Sequence, residues 1–180
     1  ITFRGVGEGT NRSMDLDEYD LYYHQLFVWD TQEEMIVGAY RVGIGKDILQ
    51  NYGVRGFYVH SLFRMQRGFK KILRQSMELG RSFIREEYQR KPLPLFLLWK
   101  GILYFLIKNS EYRYLIGPVS ISNRFSEFSR SMIINYIRKN YYNKELARHI
   151  RPRTRYNVPG YNIDEDIILE SADNLQKFDH

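Results

Sequence analysis

No cysteine occurs among the 180 residues, so disulfides and thiolate metal sites are excluded. The four histidines, His24, His60, His149 and His180, fall without ligand spacing, and no metal site is expected. Nor is there a G-x-S-x-G turn to present a serine nucleophile. Ser120 and Ser122 lie in GPVSIS instead, which argues against covalent serine catalysis. Long apolar runs are also scarce. The longest, Leu93 to Ile107, is interrupted by Lys100 and falls short of the roughly 20 residues that span a bilayer, so it reads as a buried or interfacial helix. No segment reads as a signal peptide, a repeat or a low-complexity tract. Acidic side chains are sparse until the end of the chain. Residues 1–160 hold 26 basic and 15 acidic groups, a net of +11, whereas 161–180 hold six acids and Lys177 alone. A basic body favours an acidic partner, whether nucleic acid, anionic lipid or an acidic carrier protein, and charge alone does not choose among them.

What is present is enough for one domain with a full core: 43% of the residues are hydrophobic and 16% aromatic. The opening ITFRGVG reads as the cut end of a helix, so the chain is expected to be a piece of something longer. Asn11 to Asp20 is polar and turn-rich and is expected to form an ordered loop. Gln25 to Asp30 and Met35 to Val42 are β-rich runs joined by DTQEE, which predicts a hairpin. Residues 43–57, with four glycines, read as a connection. Ser61 to Arg74 has helical spacing, and it would set Arg64, Arg67, Lys71 and Arg74 on one face. Met77 to Ile84 is expected as a strand, a helix is expected from Pro94 through Leu106, then a strand over Tyr112 to Ile121 and an amphipathic helix over Arg124 to Lys139. That order predicts an α/β fold, with a central sheet covered by helices over 1–160 and an acidic tail over 161–180.

The chemistry-bearing residues are distributed across this pattern. Glu78 and Arg81 lie three residues apart in SMELGRS. Asp17 and Asp20 in DEYD, Asp30 after LFVW, and Arg41 at the end of MIVGAYR lie upstream. Brought together, such groups would form an acid and base cluster able to shift pKa values and bind a small zwitterion. Taken singly they have plainer readings: Glu78 and Arg81 as a structural ion pair, Asp17 and Asp20 as turn formers, His24 as a satisfied, half-buried histidine. His24 and Asp30 do not form the H-x-x-x-x-D motif of glycerolipid acyltransferases, because five residues intervene.

The series DLDEYDLYYHQLFVWD, IVGAYR, MELGRS, LLWKGI and YLIGPVSIS resembles the GNAT-fold acyltransferases that move a long acyl chain from acyl carrier protein onto an amino acid. These include N-acyl amino acid synthases, ornithine lipid N-acyltransferases and, more distantly, acyl-homoserine lactone synthases. With VGEGTN added, the chain is most similar to the bacterial "hemolysin-like" domain of N-acylglycine, or glycine lipid, synthesis. The resemblance covers roughly residues 1–140 and rests on the order of the motifs. Two departures stand out: the family's first helix is largely missing before Ile1, and REEYQRKPLP replaces the glycine-rich pyrophosphate loop of coenzyme A users, which fits a carrier-protein donor.

The resemblance implies a GNAT-like mixed sheet flanked by helices. It also implies transfer of a long fatty acyl chain, with or without a 3-hydroxyl, from the phosphopantetheine thioester of acyl carrier protein to a free amino acid, glycine above all. No cofactor would be bound. Asp17, Asp20, Arg41, Glu78 and Arg81 match the polar cluster shared with lactone synthases, and His24 and Asp30 match the lipid-forming relatives. Glu78 is the candidate base, with Arg81, Asp17 and Asp20 as its catalytic company; Arg41, His24, Asp30, Ser120 and Trp99 are candidate substrate contacts. Arg64, Arg67, Lys71 and Arg74 would dock the carrier protein. The expected location is the cytoplasm, with or without contact to a membrane surface. The rival readings are a lactone synthase that uses S-adenosylmethionine and a basic nucleic-acid-binding module, although no nucleic-acid motif is present.

Overall fold

The computed structural model describes residues 16–122 and 124–157. Its centre is a four-stranded mixed sheet in the order β1-β2-β4-β5, formed by β1 (His24–Asp30), β2 (Met35–Ile44), β4 (Ser76–Ile84) and β5 (Tyr114–Ile116). β1 and β4 run antiparallel to β2, while β5 runs parallel to β4. A separate ribbon pairs β3 (Phe63–Met65) with β6 (Ile150–Pro152). The helices are α1 (Gly45–Asn51), α2 (Tyr58–Leu62), α3 (Lys70–Arg74), α4 (Pro92–Lys108), α5 (Glu127–Tyr141) and α6 (Lys144–Ala147).

The expected hairpin forms because its turn is chemically specified. Asp30 Oδ1 accepts from the backbone N–H groups of Gln32 and Glu33, at 2.9 and 3.1 Å, which closes an Asx-type turn. Strand alternation then divides the sheet into two faces. Val42, Ile44 and Met77 point to one face and pack on Ile102 of α4, with Leu26 and Tyr40 at the margin. The other face carries Tyr23, packed with Ile48, Phe57, Val59, Phe69 and Leu73 from α1, α2 and the segments around α3.

Several expected elements take other forms, for identifiable reasons. The single helix over Ser61 to Arg74 is replaced by α2, β3, a 3-10 turn at Arg67–Phe69 and α3. Residues 63–65 pair with β6, and Gln66 N–H bonds the His149 carbonyl, so a partner some ninety residues away overrides the local helical spacing. The glycine-bearing connection after β2 contains α1, which closes at Gly53 with φ 67°, a conformation that glycine adopts without penalty. Only Tyr114–Ile116 of the expected Tyr112 to Ile121 strand pairs. α4 starts at Pro92, and α5 runs over Glu127–Tyr141 with Ser126 as its N-cap, accepting from Ser129 N–H. The acidic tail and residues 11–15 of the expected loop lie outside the described residues.

The parallel pairing is short. The β4–β5 ladder joins Ser76, Met77 and Glu78 to Tyr114, Leu115 and Ile116 and stops there, while β4 runs on to Ile84. At the parting point a Cβ on Gly117 would collide with the Leu79 carbonyl, so glycine is required for the close approach. On its other edge β4 carries a bulge: Gly80 pairs with Arg41 and Phe83 with Ala39, and Arg81 takes φ 42°. A left-handed arginine inside a strand stores strain of the kind that accumulates at functional sites.

Candidate active site

The site begins with a short 3-10 helix, Glu18–Leu21, built by its own acids. Asp17 caps it by accepting from Tyr19 N–H at 2.9 Å, and Asp20 accepts in return from Asp17 N–H at 2.9 Å, a reciprocal capping box. This turn aims both carboxylates at one guanidinium. Arg41 Nη1 donates to Asp17 Oδ1 at 2.6 Å and to Asp20 Oδ1 at 3.1 Å, while Arg81 Nη2 lies 3.3 Å from Asp17 Oδ2. Gln25, paired with Arg41 in the ladder, donates to Asp20 at 3.4 Å.

Arg41 is 1% exposed. Burial works against its charge, but the hydrogen bonds and attraction of Asp17 and Asp20 prevail and raise its pKa. Its guanidinium carbon also lies 5.4, 5.3 and 5.7 Å from the ring centres of Tyr19, Tyr23 and Tyr58, an aromatic enclosure for the cation. Arg41 Nε is buried with no hydrogen-bond partner. An unsatisfied donor of that kind costs about 1–3 kcal/mol and suits an incoming acceptor oxygen.

Glu78, also 1% exposed, lies on β4 beside this enclosure, opposite Gly43 in the β2 ladder. Val59 N–H donates to Oε1 at 2.7 Å, Tyr58 N–H donates to Oε2 at 3.1 Å, and the Tyr23 hydroxyl also donates to Oε2. Burial pushes the Glu78 pKa up, and these donors together with Arg41 offset only part of the shift. Burial and the neighbouring Glu78 charge likewise push the Tyr23 phenol well above its usual range. Glu78 therefore anchors the start of α2 and the Tyr23 ring with its carboxylate already engaged. The members of the cluster with open surface are Asp17, Asp20 and Arg81, whose side chains are 20%, 16% and 22% exposed.

The structure thus brings together Asp17, Asp20, Arg41, Glu78 and Arg81, as the sequence led one to expect. The other expected contacts lie elsewhere. His24 shares the face of its ladder partner Val42 and lines a small cavity of about 120 Å³ with Tyr22, Asp47 and Tyr52. Asp30 sits at the far end of β1, roughly 20 Å along the strand from the cluster at 3.3 Å per residue, where it holds the hairpin turn and accepts from the Tyr88 hydroxyl. Trp99 is on α4, edge-on to Tyr40 on the opposite face of the sheet. Ser120 lies in exposed chain beyond the end of β5. Sequence reading missed Tyr19, Tyr23 and Tyr58. The density of tyrosine in DEYDLYY, with Tyr19 and Tyr23 at i and i+4, was the available signal.

The four docking candidates do not form one helix face. Arg64 lies on β3, Arg67 in the 3-10 turn, and Lys71 and Arg74 on α3. The basic region is instead built around the ribbon. Arg64 stands opposite Arg151 in the β3–β6 ladder, and Arg67 lines an open cavity of about 460 Å³ with Arg55, His60 and Lys70. Arg153 bonds the His60 carbonyl at 2.8 Å. Burial, and then the charges of Arg153 and Arg55, hold the His60 pKa below its usual value.

Comparison with known proteins agrees with this architecture. The family described as Acetyltransferase (GNAT) domain matches residues 1–99. A Glycine N(alpha)-acyltransferase of Bacteroides thetaiotaomicron is 33% identical over 156 residues, covering 81% of this chain and 46% of the relative. A protein of the same description from Phocaeicola vulgatus is 31% identical over 156 residues, with 81% and 48% covered. The chain spans about half the length of these curated relatives. No solved structure matches it. With its mixed sheet flanked by helices and the match over residues 1–99, the chain belongs to the GNAT acetyltransferase-domain family.

Proposed function

We propose that this chain is the acyltransferase domain of an enzyme that moves a long fatty acyl group from an acyl carrier protein thioester to the amine of glycine. The observation that carries the reading is the position of the charged cluster. Arg41, Asp17 and Arg81 gather on the face of β4 just where that strand parts from β5, between Glu78 and Gly80. Beyond Glu78 the β5 side of β4 has no ladder partner among the described residues, and on this reading its main chain there bonds the amides of a pantetheine arm whose thioester end would lie beside the cluster. The curated relatives, named for glycine N-acylation, support the acceptor.

In this reading Arg81, with the unpartnered Nε of Arg41 behind it, receives the glycine carboxylate, and the Asp17–Asp20 pair meets the ammonium group. The amine loses a proton to a carboxylate of that pair, directly or through water, and the neutral nitrogen attacks the thioester carbonyl. A C–N bond forms and the C–S bond breaks; the second proton shed by the attacking nitrogen goes to the departing thiolate, and the resulting thiol stays on the carrier arm. Glu78 becomes a positioning residue rather than the direct base, because it is 1% exposed beneath Tyr23, Tyr58 and Val59, whereas the Asp17 and Asp20 side chains keep 20% and 16% of their surface open to a substrate.

The test is competition among the twenty amino acids for a long-chain acyl carrier protein donor, using the full-length protein and mass spectrometry of the product. N-acylglycine is the expected product. Preference for ornithine or tyrosine would remove glycine, and equal use of acyl coenzyme A would remove the carrier protein. Release of methylthioadenosine from S-adenosylmethionine would move the chain to the lactone synthases. Acylation of no free amino acid would sink the reading.

A further inference from the structure

A helix on the surface of a protein normally turns polar side chains to water, and one that is apolar all round is normally buried. α4, Pro92–Lys108, breaks this pattern. Its inner side buries Leu98 and Ile102, at 1% exposure each, and Ile102 packs on Val42, Ile44 and Met77 of the sheet. Its outer side is equally apolar: Leu93, Phe96, Leu97, Leu103, Tyr104 and Ile107 all face out, Phe96 at 62% and Ile107 at 77% exposure. Successive 100° steps place all six within one continuous half of the helix surface, with Lys100 at the centre of that half.

We propose that this outer face of α4 docks on an anionic lipid surface. Three observations favour a membrane over a protein partner. From Gln89 to Ser110 there is no acidic residue, while Arg90 and Lys91 precede the helix and Lys108 ends it, so the whole strip is cationic. Lys100 sits in the middle of the apolar patch, where a dry protein interface would have to bury its ammonium group. At a lipid–water boundary the same side chain buries its methylenes and extends its charge to the headgroups. Tyr104, with Lys108 at 5.7 Å from its ring, has the amphipathic form that suits this depth. No described helix is long and apolar enough to cross a membrane, so the contact lies along the surface. The basic β3–β6 ribbon packs on the opposite side of the sheet, against the Tyr23 cluster, and stays available to a different partner.

The experiment is flotation of the full-length protein with large unilamellar vesicles of phosphatidylcholine alone or with phosphatidylglycerol added, joined to sedimentation equilibrium without lipid. Wild type floats with the anionic vesicles and at least about tenfold less well with neutral ones. Phe96→Ser with Ile107→Ser abolishes flotation at an unchanged melting temperature, and Lys100→Glu removes most of the preference for anionic vesicles. The proposal is overturned if wild type floats with neither vesicle, or if the double serine variant floats like wild type. It is equally overturned if the lipid-free protein is a dimer that the serine variant dissociates, since a second copy would then cover the face.

Discussion

The Tyr23 hydroxyl donates to Glu78 Oε2 across 55 positions of sequence, and Tyr58 N–H reaches both of those oxygens, at 3.1 Å each. Every acceptor site that Glu78 turns to the interior is therefore matched to a donor. Glu78→Gln must present an amide NH₂ to one of these donors, which removes the charge-assisted bonds to the carboxylate and turns the Tyr23 hydroxyl toward its longer contact with the Gly56 carbonyl, at 3.3 Å. The expected loss of stability is about 1–3 kcal/mol, read by denaturant unfolding. A variant of unchanged stability whose turnover falls by about 10² or more would instead make Glu78 the base and end its assignment as a positioning residue.

Burial raises the folded-state pKa of Glu78. Between its unfolded value and this raised value the native state holds more protons than the unfolded chain, so the stability due to this group is full below the window and declines as pH rises through it. The stability advantage of wild type over Glu78→Gln should accordingly be greatest on the acid side and shrink with rising pH. Paired unfolding curves across weakly acidic to neutral pH measure it, and a difference that grew with pH would reverse the assigned shift.

Gly43 pairs with Glu78 in the β2–β4 ladder, and a Cβ there would sit inside contact distance of the Tyr23 ring and of Ile48. The glycine is what lets Tyr23 cross the strand to reach the carboxylate. Gly43→Ala should cost about 1–3 kcal/mol through overpacking. It should also restore ordinary titration to the Tyr23 phenol, observable by ultraviolet absorbance at alkaline pH. A variant with neither change would show that the ring has room.

Arg81→Lys keeps the charge but loses the planar two-point contact with a carboxylate. On the proposed reading the KM for glycine rises by about tenfold or more while the melting temperature hardly moves, since the Arg81 side chain is partly exposed. Steady-state kinetics with glycine varied decide the matter, and an unchanged KM would remove Arg81 from the acceptor site.

Arg64 and Arg151 stand opposite each other in the ribbon, an arrangement of like charges that costs stability unless an anion lies over it. Reversing both to glutamate keeps the repulsion constant, so stability should change little. On the proposed reading, with the ribbon as the docking surface, binding of acyl carrier protein should weaken by at least about tenfold, and wild-type binding should fall steeply with salt. Equal affinity of the doubly reversed variant, measured by calorimetry, would return the ribbon to ordinary surface.

The hairpin, the β4 strand and the helix after REEYQRKPLP were legible in the sequence because each is specified locally, by the Asp30 turn, by alternating apolar residues and by proline at a helix start. The charged cluster was legible in membership: Asp17, Asp20, Arg41, Glu78 and Arg81 stand in recognisable motifs. Their division of labour was not. Burial is a property of the packed chain, and only packing reveals that Glu78 is sealed beneath Tyr23 while Asp17 and Arg81 keep open surface. Likewise Ser61 to Arg74 carries a spacing that fits a helix, yet residues 63–65 form a strand because β6 offers them hydrogen bonds from far along the chain. Periodicity fixes which side chains share a face. Which face finds a partner, and which charge is left facing solvent, depends on contacts between segments that no local pattern contains.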